Sequence, residues 1–320
     1  MKKTRLNKKK VAFAIILLIV IVAIIVTLVT CGIKYIIYLG SDEYKLKEIG
    51  YSEEQITTIL KYATDNELEK IKNEKYEKQL TTFIEQKYFI YDKLADYIEY
   101  YNQDKTVDVS KVISIINVGA DKDFYQDPKK TDTSLKELML VNKFNYLDKT
   151  YVPENIVDVS VQYAYDDNEV PEFVYEKYLE MWNDANEDGL TLIMSSSYRD
   201  YQYQEELYNN YKNQNGTEWA DSVAARAGYS EHQTGYALDI VTYNSTMEDF
   251  ENSDEFKWLN ENAYKYGFIL RYPKDKEDIT GYAYESWHYR YVGVEVASYI
   301  HENDITFDEY YAYFIENKQE

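Results

Sequence analysis

Cysteine, proline and histidine are all scarce in this 320-residue chain, with one, four and three copies respectively. Cys31 has no second thiol to pair with, so an intramolecular disulfide framework is excluded. Four prolines exclude collagen-like and proline-rich disordered compositions. Beyond the N-terminus, basic charge is short as well. Residues 1–40 hold seven Lys or Arg and no acid, and the remainder holds 28 bases against 57 acids. A nucleic-acid partner requires a basic face, so this balance argues for no nucleic acid. It suits a soluble, self-repelling domain. Tyrosine is the opposite case, with 37 copies, and points to a tyrosine-rich core or cleft.

An uncharged run from Val11 to Ile33 follows Lys2, Lys3, Arg5, Lys8, Lys9 and Lys10. A membrane-spanning helix needs about 20 apolar residues, and a basic flank of this kind stays in the cytoplasm. A cleaved signal has a shorter apolar core and small residues at the cut, for which Thr27, Thr30 and Gly32 are poor. Cys31 follows Thr30, a large residue for a lipidation site. Residues 1–40 are therefore expected to form an uncleaved single-pass anchor in the cytoplasmic membrane. Its N-terminus is inside and the rest of the chain outside.

Residues 41–108 read as a helical stalk or small helical domain. Ser52 and Gln55 match a capping box, and Ile56, Ile59, Leu60 and Ala63 follow the spacing of a buried stripe. Leu80, Phe83 and Ile84 mark a second helix. From Val107 the pattern changes to short apolar runs, and residues 109–320 are expected to form the catalytic domain. Val112–Val118, Ile156–Tyr165, Leu190–Met194, Tyr236–Tyr243, Phe268–Tyr272 and His288–Val292 read as strands. Val170–Asn183, a segment starting near Asp200, Asp254–Tyr266 and the tail from Val294 read as helices. Gly267 stops the third of these. Strands and helices do not alternate regularly, which predicts an α+β fold with a mixed, largely antiparallel sheet flanked by helices.

Two stretches carry the chemistry, Ser230–Asp239 and Glu285–Tyr291. They bring His232 and His288, two of the three histidines, together with the carboxylates of Asp239 and Glu285. Imidazole and carboxylate suit a borderline metal such as zinc, and three protein ligands leave a fourth position open for catalysis. His232, Asp239 and His288 read as the ligands and Glu285 as the base. Glu285 and His288 are three apart and would face opposite ways in an ideal strand. They serve one site only if Glu285 lies on the turn entering the strand, or if a bulge intervenes. His301-Glu302 begins an H-E-x-x-H pattern, but Ile305 breaks it, so His301 reads as a helix-surface residue.

With these residues in view, the chain resembles the VanY-type zinc D-alanyl-D-alanine carboxypeptidases. The S-x-H-x-x-G-x-A-x-D motif matches Ser230, His232, Gly235, Ala237 and Asp239. E-x-W-H matches Glu285, Trp287 and His288, and S-x-Y-R matches Ser196, Tyr198 and Arg199. The resemblance covers about residues 109–300; Ser286 stands where the family often has proline. It implies zinc (Zn2+) on His232, Asp239 and His288, Glu285 as general base, and Arg199, Gln204, Ser230 and Tyr272 in substrate binding. The implied substrate is a peptidoglycan stem peptide that loses its C-terminal D-alanine. A bidentate arginine fork suits a free C-terminal carboxylate in a way that lysine does not. The motifs are shared by D,D- and L,D-specific enzymes. The competing reading is a non-catalytic, zinc-stabilised cell-wall binding module, which has no need of a base at Glu285.

Overall fold

A computed structural model of the protein describes residues 8–165 and 167–317. Lys2, Lys3 and Arg5 of the basic flank lie outside the described residues. The chain divides into two compact units, residues 1–99 and 100–320.

The first unit is helical. Its leading helix, Lys8–Leu39, is long and apolar enough to cross a membrane, and its aliphatic side chains are exposed. Short helices follow at Asp42–Ile49, Glu53–Tyr62 and Asp65–Asn73. Ser52 and Gln55 form the expected reciprocal capping box, and Thr64 and Glu67 form another. Each satisfies two otherwise unpaired amide donors of a first turn. Ile56 and Ile59 are buried, but Leu60 is exposed, so the buried stripe is narrower than the sequence spacing suggests. The Leu80–Phe83 helix is a single turn, although Leu80, Phe83 and Ile84 are all buried.

The second unit is built on a four-stranded sheet. Its strands are β1 (Ile193–Ser196), β2 (Ala237–Val241), β3 (Phe268–Leu270) and β4 (His288–Tyr291). The spatial order is β1-β2-β4-β3, with every neighbouring pair antiparallel. The helix Glu172–Glu187 covers one face. It buries Val174, Tyr178, Met181 and Ala185, a helical stripe, in the same core as Ile193, Leu238, Ile240, Phe268 and Tyr289. Val174 and Met181 each contribute about 1.5–3 kcal/mol on burial. The α+β expectation holds, with helices flanking an antiparallel sheet.

Two strand assignments change. Val112–Val118 lies in a helix, Val109–Val118. Asp108 caps its start by accepting from the Ser110 amide, and Gly119, in the left-handed conformation, ends it. Burial on several sides gave this helix a run of β-branched residues that mimics a strand. Ile156–Tyr165 is a strand only at Ile156–Asp158. A turn at Ser160–Tyr163 breaks the rest, apart from a single bridge at Ala164. The other elements fall near their expected places. Asp200 caps the helix Tyr201–Asn215, and Gly267 ends the turn that follows Asp254–Asn262.

Candidate metal centre

The register of β2 against β4 puts Asp239 directly opposite His288. Directly opposed residues share a face of a sheet. Leu238, Ile240 and Tyr289 alternate with them and point into the core. Asp239 and His288 are thus aimed together at the other face, and both are buried.

His232 reaches the same place from the loop before β2. A short helical turn, Glu231–Thr234, holds it between Ser230, whose hydroxyl accepts from the His232 amide, and Gly235. Gly235 has φ +75°, and a Cβ there would stand 2.8 Å from Pro171 Cδ. Only glycine meets both demands without strain. Nδ1 of His232 donates to the Ser197 carbonyl at 2.6 Å, which fixes the ring and turns Nε2 toward the site.

The three donor atoms lie within 4.8 Å of one another. Asp239 Oδ1 is 3.3 Å from His232 Nε2 and 3.2 Å from His288 Nδ1. Metal–ligand bonds of about 2.0–2.1 Å in a tetrahedral site put neighbouring donors about 3.3 Å apart. Asp239 Oδ1 is buried and makes no hydrogen bond, the kind of orphaned acceptor that a cation satisfies. The donor set and its spacing fit zinc.

Glu285 lies on the turn entering β4, as one site for both residues requires. Its amide donates to the Tyr272 carbonyl, and its Oε2 is 3.4 Å from His288 Nδ1. Burial, with the nearby Asp239 charge adding to it, raises its pKa to about 7. Burial and the Arg199 charge lower His232 to about 4, so its ring is neutral at pH 7. Burial opposes protonation of His288, but the facing Asp239 and Glu231 carboxylates outweigh it and raise the pKa to about 9. Burial likewise opposes ionisation of Asp239, yet His232, His288 and Arg199 hold it well below the usual carboxylate range.

Arg199 leaves the end of β1 and lies across the ligands. Its Nη2 donates to Asp239 Oδ2 at 2.7 Å and stands 2.8 Å from His232 Nε2. Nε donates to Ser196 Oγ, and Nη1 donates to Gln204 Oε1. Gln204 is buried and fixed in turn by donating to the Ala225 carbonyl. Tyr272 is buried with its ring centroid 4.9 Å from that of His288. All eight residues singled out in the sequence line one cleft of 340 Å³. Its remaining wall is largely apolar, with Tyr203, Leu207, Tyr211, Met247 and Trp287. His301 is exposed, stacked on Tyr264, and does not line this cleft.

A buried charge cluster behind His288 was not foreseen. Glu231 Oε1 accepts from Arg271 Nε at 2.8 Å and from Arg290 Nη1 at 2.9 Å, and Arg271 Nη1 donates to Asp308 at 2.5 Å. The two arginines and Glu231 have no exposed side-chain surface. Arginine inside the apolar strand runs Phe268–Tyr272 and His288–Val292 was the available signal, since a buried charge demands a partner.

The family model described as VanY, D-alanyl-D-alanine carboxypeptidase, matches residues 167–294. The bifunctional D-Ala-D-Ala dipeptidase and D-Ala-D-Ala carboxypeptidase VanXYC of Enterococcus gallinarum is 30% identical over 187 residues, 56% of this chain and 95% of that protein. The chain belongs to the VanY-type D-alanyl-D-alanine carboxypeptidase family. A D-alanyl-D-alanine carboxypeptidase of Enterococcus faecium is 42% identical over 146 residues, 45% of each chain. The solved structure of the LdcB LD-carboxypeptidase, described with the molecular basis of its peptidoglycan recognition, aligns with a TM-score of 0.55 and 36% identity. That alignment covers 59% of this chain and 91% of that one. This VanY-type chain is a metallopeptidase, and zinc is the metal that its donor set suits.

Proposed function

We propose that the protein removes the C-terminal D-alanine from peptidoglycan stem peptides, as a D,D- or L,D-carboxypeptidase tethered to the outer face of the cytoplasmic membrane. One observation carries the chemistry. A partly buried carboxylate with a pKa raised to about 7, Glu285, stands 3.4 Å from His288 Nδ1 in a cleft that also holds the three-donor set and Arg199. A pure binding site needs the donors but not the base.

His232, Asp239 and His288 would hold the zinc. Bound there, zinc supplies Lewis acidity and lowers the pKa of water to about 7. Glu285 takes the proton of the attacking water and returns it to the departing amine. A base whose pKa lies near the working pH is best placed for both transfers. Arg199 pairs with the C-terminal carboxylate through its planar fork. Its Nη2 donates to Asp239 Oδ2 and stands 2.8 Å from His232 Nε2, so the guanidinium is held beside the three donors. Gln204 steadies Nη1. Tyr272 and Ser230 shape the floor beside the ligands, and the apolar wall accommodates alanyl methyl groups.

The membrane assignment rests on the long apolar helix Lys8–Leu39 and the basic residues around its start. We assign residues 41–108 as the stalk and 109–320 as the catalytic domain. Incubating the zinc-loaded full chain in detergent with defined penta- and tetrapeptide stems, and weighing the products, tests the function. Loss of one alanine is the expected result. An intact panel with zinc bound would replace the enzyme by a binding module.

A further inference from the structure

His288 has a second ring nitrogen, and the structure gives it a single counterpart. Nε2 is buried, makes no hydrogen bond, and stands 3.7 Å from Glu231 Oε2. That carboxylate oxygen is itself buried and otherwise unpartnered. Its twin, Oε1, is held by Arg271 and Arg290. Arg290 is held in turn, because its Nη2 donates to the carbonyls of Glu137 and Met139. Arg271 is gripped on its far side by Asp308 in the helix Phe307–Tyr310, and Asp308 also accepts from Asn142 Nδ2 at 2.8 Å.

We propose that Glu231 is a positioning residue for the metal ligand His288, and that its carboxylate is set by a buried charge chain running through Arg271 to Asp308. The inference rests on the zinc reading above. The ring of a metal-bound histidine is usually oriented by a partner on its other nitrogen, most often a carboxylate or a backbone carbonyl. His232 has a carbonyl, from Ser197. His288 has Glu231. A shift of a few tenths of an ångström turns their 3.7 Å approach into an Nε2–H···O hydrogen bond and leaves Nδ1 with its lone pair toward the site. One opposed charge on each side of Arg271, Glu231 and Asp308, explains why so costly a group is buried here at all. Asp308 lies outside residues 167–294, so the C-terminal segment buttresses the centre from beyond the stretch that the family model matches.

The test uses the full chain in detergent and zinc alone. Zinc affinity is measured by competition with a chromophoric chelator for the wild type, Glu231→Gln and Asp308→Asn. Thermal unfolding of each metal-free protein is followed in parallel. Glu231→Gln should lose about 10- to 100-fold in zinc affinity, with a smaller loss in Asp308→Asn. Removing Glu231 leaves two buried arginines short of a carboxylate and invites misfolding. A second measurement therefore needs no variant. Nitrogen-15 spectra of the zinc-loaded wild type should show His288 with a protonated, slowly exchanging Nε2 and a metal-bound Nδ1. Wild-type affinity in a folded Glu231→Gln variant, or an unprotonated Nε2 on His288, overturns the inference and leaves the zinc enzyme intact. A wild type that binds no zinc removes the proposed function and this inference with it.

Discussion

Asp239 and His288 face each other across β2 and β4, 49 positions apart in sequence and 3.2 Å apart at Oδ1 and Nδ1. The sheet register therefore creates half of the proposed metal site, and the loop carrying His232 supplies the third donor. His232→Ala and His288→Ala should each abolish stoichiometric zinc binding while the core packing of β2 and β4 persists. Metal analysis after dialysis, paired with circular dichroism, checks both parts. Full zinc content in both folded variants would show the ligands to be misassigned.

Proton release should accompany metal loading. Without metal, His288 keeps its proton up to about pH 9, whereas His232, with a pKa near 4, is already neutral at pH 7. Zinc binds the neutral imidazole, so loading at pH 7 expels the His288 proton. Affinity should then rise with pH, by about tenfold per unit between pH 6 and 8. Titration calorimetry in buffers of different ionisation enthalpy reads the release directly. Affinity independent of pH over that window would contradict the protonation states assigned to the site.

Arg199 separates substrate binding from metal binding. Arg199→Lys keeps a positive charge but loses the fork. It should raise KM for peptides with a free C-terminus by at least tenfold and leave zinc affinity at or above that of the wild type, because a competitor for Asp239 and His232 Nε2 has been weakened. An amidated C-terminal peptide should be a poor substrate of the wild type. Equal turnover of free and amidated peptides would remove the carboxylate role.

Gly235 is the one position in the motif whose demand is purely conformational. With φ at +75° and Pro171 and Pro153 against the site of a Cβ, Gly235→Ala should destabilise the protein by about 1–3 kcal/mol and displace the His232 loop. Thermal unfolding and zinc affinity should fall together. An unchanged melting temperature would mean that the loop relaxes freely.

The eight residues singled out in the sequence all line the cleft, because metal and proton chemistry restrict the residue types severely. The spacing of Glu285 and His288 called for either a turn or a bulge, and the structure has the turn, with the strand starting only at His288. What stayed hidden depends on long-range packing. Glu231 sits inside the motif, yet its partners Arg271 and Arg290 lie 40 and 59 positions away, and nothing local ties them to it. Val112–Val118 misled for a related reason: a helix buried on several sides loses the polar face that reveals its period. The Asp108 cap and the Gly119 stop were legible there and outweigh the β-branched residues.

The proton-transfer role of Glu285 is the centre of the mechanism. Glu285 makes no bond to the metal in this scheme, and Glu285→Gln keeps its size while removing its basicity. The decisive measurement is turnover of a stem peptide by zinc-loaded Glu285→Gln, with zinc content and substrate affinity determined on the same sample. Zinc and peptide should bind as in the wild type while kcat falls by at least the roughly 100- to 10,000-fold that general acid–base catalysis provides. Trimming of the stem peptide at the wild-type rate by that variant would contradict the mechanism.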